Sequence, residues 1–178
     1  MSPEQLSHEL REETSADLRR RRWIVGLSLV GAAAGIAVTL YQTGIIKHLP
    51  DPPSDLFDSD RVDASNYAYK RLNSPDAPMM IINYGVTALL AAMGGKNRAQ
   101  NLSYAPLATA AKTVADTALC LQLGREEWQE NKAFCTYCQV ATLASIASVA
   151  LAAPEAIKAA QNLFGGDAAQ KQLEAEVY

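Results

Sequence analysis

Apolar residues gather in four blocks, with polar stretches before, between and after them. Block one, 23–41 (WIVGLSLVGAAAGIAVTLY), holds no charged residue and has the length of a membrane span. Trp23 and Tyr41 close its ends, where amphipathic rings favour the membrane–water interface. Block two, 78–93 (PMMIINYGVTALLAAM), is shorter and carries Asn83, Tyr84 and Thr87. Block three, 107–123, places Lys112 and Asp116 near its middle. Block four, 134–153, is again free of charge and ends before Pro154. Four such blocks joined by polar connections predict an all-α protein, a four-helix transmembrane bundle.

The polar segments orient that bundle. Residues 1–22 predict a charged helix, with Ser2 as its cap, Pro3 at its first position and Gln5 able to bond back. It ends in the run Arg19–Arg22, directly before block one, as the positive-inside rule expects of a cytoplasmic anchor. No convincing small-residue cleavage site follows block one, so it reads as a retained span. The 42–77 connection is rich in proline and aspartate and carries more acid than base. Within it, VDASNYAYKRL predicts a short amphipathic helix with Val62, Tyr69 and Leu72 on one side. GGKNR then returns Lys96 and Arg98 to the side of Arg19–Arg22. GREEWQENKAF, 124–134, reads as a polar hinge, and 154–178 as a polar cytoplasmic tail. Both termini are thus expected inside, with the 42–77 loop and the hinge outside.

Charge inside block three needs a reason. Each of Lys112 and Asp116 costs about 2.5–3.5 kcal/mol at the centre of an inserted helix. Four positions apart, they share a face and can pair, and Cys120 continues the stripe. Ionisable groups within a span commonly mark a functional path, so Asp116 and Lys112 are candidates for a proton path. The competing reading is a soluble amphipathic helix whose charges face water.

Composition changes the picture in three ways. A net charge of −3 argues against a nucleic-acid partner. A mean hydropathy of −0.06 is low for a membrane protein, so that inference rests on the blocks themselves. Three cysteines, Cys120, Cys135 and Cys138, are too few for a disulfide scaffold or a four-thiolate zinc site. His8 and His48 lie far off in polar stretches, so no metal site is expected.

Cys135 and Cys138 form a CxxC pair at the mouth of block four. That spacing brings two sulfurs within bonding reach on a first helical turn, where the helix N-terminus favours the thiolate of the first cysteine. The bland reading is two small apolar residues in a helix. By the charge-derived topology the pair sits on the outer, oxidising side of a bacterial plasma membrane. There it can cycle between dithiol and disulfide by exchange with a partner thiol. A lipid-soluble quinone in the bundle mouth is the natural electron acceptor.

The stretch LCLQLGREEWQENKAFCTYCQVATLAS, 119–145, resembles the vitamin K epoxide reductase family and its bacterial homologues. RVDASNYAYKRLNSPDAPMMIINYGVTALLAAMG looks like that family's outer loop passing into its second span. The resemblance covers residues 23–153 and implies a four-helix bundle around a quinone, menaquinone or ubiquinone. It implies that Cys135 and Cys138 are the redox pair. Cys138 would stand nearest the quinone, and Cys135 would exchange with an incoming thiol. Asn83, Tyr84 and Thr142 are polar candidates for contacting the quinone, and packing or interhelical hydrogen bonding is the alternative for each. The family's two outer-loop cysteines are missing, and Ala64 stands about where one is expected. A separate thioredoxin-like thiol protein would then have to reach Cys135 directly.

The expectation is therefore a membrane thiol-disulfide oxidoreductase coupling CxxC exchange to a quinone. The alternative is a non-catalytic membrane adaptor, with partner-binding ends and a structural CxxC disulfide.

Overall fold

A computed structural model describes residues 2–71 and 73–176, with side chains as far as residue 165. Among the described residues the chain forms α1 (Pro3–Glu12), α2 (Ala16–Gln42), α3 (Ser59–Asp63), α4 (Asn66–Tyr69), α5 (Ala77–Ala92), α6 (Arg98–Asn101), α7 (Tyr104–Asn131) and α8 (Thr136–Glu176). The one β contact among them is an isolated parallel bridge, Phe57 to Phe134. The long helices α2, α5, α7 and α8 pack side by side: α2 lies against α5 and α8, and α7 against α8 and α5.

The bundle is apolar outside, and much of its interior is small or polar. Leu29 and Ile36 of α2, Ile82 and Leu89 of α5, Val114 and Leu121 of α7, and Leu143 and Ile146 of α8 are all exposed. The inward faces carry Ser28, Gly31, Ala34, Thr109, Thr113, Ala144, Ser145 and Ser148. Small residues let helices approach closely where hydrophobic burial does not drive their association, as in lipid. Glycine is required at one such approach. A Cβ on Gly31 would stand 2.6 Å from the Tyr84 ring, so α2 and α5 meet with an aromatic ring laid on bare backbone. Two helical stretches, Ala16–Gln42 and Thr136–Gly165, are long and apolar enough to cross a membrane; α5 is apolar but shorter.

Several boundaries differ from those read in the sequence. The charged N-terminal helix stops at Glu12, and Ser15 caps a new helix by accepting from the Leu18 N–H at 3.1 Å. The arginine run is thereby the opening of α2. GREEWQEN is not a hinge: α7 runs through it to Asn131, and Lys132 ends the helix in the left-handed conformation (φ 54°). Nor does Pro154 end α8, which continues to Glu176. The missing proline N–H removes one bond, while Glu155 and Ala159, both buried, hold the helix in line. The amphipathic helix expected in the 42–77 loop is two short pieces, α3 and α4, broken at Ala64 and Ser65, where the Ser65 hydroxyl turns back to the Val62 carbonyl at 2.7 Å. Val62 is buried and Tyr69 half-buried; Leu72 lies outside the described residues.

One end of the bundle is fastened by arginines. The Arg21 guanidinium donates to the carbonyls of Ala91, Ala92, Met93, Gly94 and Gly95, and Arg98 donates to those of Leu90, Ala91 and Met93. Leu90, Ala91 and Ala92 hold orphan carbonyls of the last turn of α5, where the helix dipole favours cations, and Met93, Gly94 and Gly95 belong to the turn that follows it. Arg98 also grips Glu155 with two bonds, 2.9 and 2.8 Å, both side chains buried. The opposite end carries the loop, the α7–α8 turn and the two cysteines.

Candidate functional site

The turn between α7 and α8 is very short, Lys132 to Cys135, because the left-handed Lys132 reverses the chain at once. Trp128 stacks on Phe134, ring centroids 5.2 Å apart, and fixes the reversal. Cys135 stands immediately before the first residue of α8. Its sulfur accepts from the Cys138 N–H at 3.3 Å, as a capping serine oxygen would, and its carbonyl accepts the Gln139 N–H at 3.0 Å. The CxxC spacing thus does place both sulfurs on one helical turn, and both cysteines are free thiols.

The two thiols face different surroundings. Cys135 is fully buried in a cluster with Leu49, Val62, Tyr67 and Ala68 of the loop. Cys138 opens into a cavity of about 470 Å³ between α2, α5, α7 and α8. The sequence reading expected the helix N-terminus to lower the pKa of Cys135. Instead burial pushes that thiol up, with the negative charge of Asp63 adding to it, although contacts from Cys138 pull the other way. Desolvation outweighs the helix end here because no water reaches the sulfur.

A clasp holds the loop over Cys135. The Asp51 carboxylate accepts from the Ser59 N–H, the Ser59 hydroxyl and the Thr136 hydroxyl, each at 2.6 Å. The Thr136 N–H in turn donates to the Ser59 hydroxyl at 3.0 Å. Beside it, the Phe134 N–H donates to Leu56 O at 2.9 Å and the Asp58 N–H to Phe134 O at 3.1 Å. The seal therefore joins the loop to the CxxC turn itself.

Asn83, Tyr84 and Thr142 all line the cavity, together with Cys120 and Cys138. Tyr84 donates to Ala141 O at 2.6 Å and shares a bond with Ser145 at 2.8 Å. Thr142 bonds back to Cys138 O at 2.8 Å. Asn83 accepts from Lys112 Nζ at 2.8 Å. Lys112 also pairs with Asp116 at 2.6 Å, and Asp116 accepts from Thr87 at 3.0 Å. That polar knot between α5 and α7 meets the cavity through Asn83; neither Lys112 nor Asp116 lines it. A second hollow of about 470 Å³ shares Cys120, Gly124, Gln139 and Thr142 but reaches neither Cys135 nor Cys138.

Two residues that sequence reasoning passed over complete the site. Asp63 is 2% exposed, and its Oδ2 has no hydrogen-bond partner among the described residues. A carboxylate oxygen of Asp63 and the two sulfurs all lie within 4.8 Å of one another. Glu127, 1% exposed, accepts from the Cys135 N–H at 3.5 Å and from Gln139 Nε2 at 3.2 Å, and it faces the Cys138 thiol. Burial pushes both carboxyls up to about 7, with the neighbouring thiols drawing each part of the way back. Glu127 had a signal. Asp116, Cys120, Gly124 and Glu127 recur at helical spacing, so the stripe seen in block three runs on through the supposed hinge. Asp63 had none that separated it from the other aspartates of its loop.

The dithiol, its two carboxylates and the apolar cavity sit together at one end of an all-helical bundle. The family model described as the vitamin K epoxide reductase family matches residues 22–153, which spans this bundle and the site. Curated proteins yield no match to the chain. That family comprises membrane oxidoreductases, and two long apolar helices agree with a membrane protein. The chain belongs to the vitamin K epoxide reductase family.

Proposed function

We propose that the protein is a quinone-linked thiol-disulfide oxidoreductase of the plasma membrane, with Cys135 and Cys138 as its redox pair. One observation carries the reading: Cys138 opens into a largely apolar cavity inside the bundle, while Cys135 lies behind it, one helical turn away. A quinone bound there supplies a two-electron, two-proton acceptor. Menaquinone and ubiquinone share that chemistry. The chain's own residues do the rest. Cys138 presents its sulfur to the cavity, Tyr84 and Thr142 shape the polar side of the wall, and Asn83 couples the cavity to the Lys112–Asp116 pair as a proton path. The exposed apolar faces of all four long helices support four spans. Both termini then lie in the cytoplasm and the CxxC at the outer face.

Electrons enter from a separate thioredoxin-like protein. The family's loop relay has no cysteines in this chain, so the partner must reach Cys135 itself. That requires the loop to lift, because Cys135 is fully covered. The cover also favours a second reading, a membrane adaptor in which the CxxC pair forms a structural disulfide.

Purified protein in liposomes, supplied with a reduced thioredoxin-like dithiol and a quinone, separates the two. Quinone reduction that disappears in Cys138→Ala is expected. No quinone reduction by the unmodified protein, or an unchanged rate in Cys138→Ala, would leave the adaptor.

A further inference from the structure

We infer that Asp63 and Glu127 are the proton carriers of the dithiol, Asp63 serving Cys135 and Glu127 serving Cys138. The inference deepens the oxidoreductase reading and rests on it. Joining two thiols into a disulfide breaks two S–H bonds, forms one S–S bond and releases two electrons and two protons. A quinone bound in the cavity would accept both electrons and both protons. Cys135 is cut off from water, so its proton needs a local base.

Asp63 is placed to be that base. It is buried, its Oδ2 is unpartnered, and its carboxylate lies within 4.8 Å of both sulfurs. Glu127 stands across from it, facing the other thiol. Both carboxylates also line the cavity, so a proton taken from sulfur has an outlet to a bound acceptor without crossing solvent.

Elsewhere in the bundle, buried carboxylates are matched by cations, Glu155 by Arg98 and Asp116 by Lys112. Around Asp63 the ionisable neighbours are Cys135, Cys138, Glu127, Asp76 and Asp51, with Tyr41 and Tyr69 on the loop side. Glu127 faces Cys138, Asp63, Asp76 and Tyr67. The nearby cation, Arg71, is engaged by Glu126 at 2.8 Å and Asp76 at 3.7 Å. Burial among these groups brings both carboxyls to about 7, so either can hold or release a proton near neutral pH.

The test needs neither quinone nor partner. Reduced full-length protein is oxidised with diamide, which accepts the two electrons and two protons. Closure of the Cys135–Cys138 disulfide is followed by mass spectrometry from pH 5 to 9, and retention volume and melting report folding. The unmodified protein should show a rate step near pH 7. Asp63→Asn and Glu127→Gln should lose that step and close at least roughly tenfold more slowly at pH 7. Glu127→Asp should restore part of it, and Glu126→Gln, on the rim, should keep the step. A wild-type profile in folded Glu127→Gln would overturn the inference, whether or not Asp63→Asn folds. A changed profile beside a failed quinone assay would instead strike only the oxidoreductase reading.

Discussion

The two ends of the bundle both bury charge, and they treat it in opposite ways. At the arginine end, Arg21 and Arg98 bond the carbonyls of the last turn of α5 and of the turn after it, and Arg98 holds Glu155 in a two-bond pair. At the cysteine end, Asp63 and Glu127 are buried without a paired cation among the described residues, next to two thiols and a cavity. A buried charge whose partner is fixed gives one stable arrangement. A buried carboxylate lacking one sits near neutral titration and can change its proton. The first end locks the fold; the second is left able to react.

The largest effect should come from breaking the saturated end. Arg98→Ala strands Glu155 and uncaps α5, and should cost about 3–5 kcal/mol in detergent-solubilised unfolding. The double change Arg98→Met with Glu155→Leu should recover most of that loss. No recovery would mean that the carbonyl bonds, and not the ion pair, carry the stability.

At the reactive end the sign reverses. Asp63 and Glu127 have folded pKa values raised above their unfolded ones. Between about pH 4 and 7 the folded state keeps protons that the unfolded chain has lost, so stability falls as pH rises through that window. The fall should be several kcal/mol in all, and Asp63→Asn or Glu127→Gln should each flatten part of the slope in melting curves. A flat wild-type profile would show the two ends to be alike.

The sequence carried the scaffold of this contrast unevenly. The four apolar blocks, the paired Lys112 and Asp116 and the CxxC turn could be read because each is a local pattern: a charge-free run, an i, i+4 spacing, a two-residue gap. Arg21 could not be told from Arg19, Arg20 and Arg22. Only the packing of α2, which buries the face of Leu18, Ile24 and Ser28, turns that one inward. Glu127 was hidden because three glutamates in a row of polar residues look like a loop, whereas the helix continues and buries one of them. The closed seal over Cys135 depends on Asp51 meeting Thr136 across 85 positions, a pairing that no local pattern announces.

Two smaller changes sharpen the comparison within the reactive end. Gly31→Ala puts a methyl against the Tyr84 ring and should cost about 1–3 kcal/mol while weakening quinone binding, measured by fluorescence quenching. Thr136→Val removes one bond of the Asp51 clasp. It should cost about 0.5–1.5 kcal/mol and speed alkylation of Cys135, with the arginine end unaffected.

The most direct test of the account is residue-resolved thiol labelling. The reduced protein, in lipid, is treated with a small apolar maleimide, with and without a short-chain quinone, and Cys135 and Cys138 are quantified separately. Cys138 should label first and be protected by the quinone, while Cys135 stays unmodified until the clasp is loosened. Equal labelling of both cysteines, or a Cys138 rate indifferent to quinone, would contradict it.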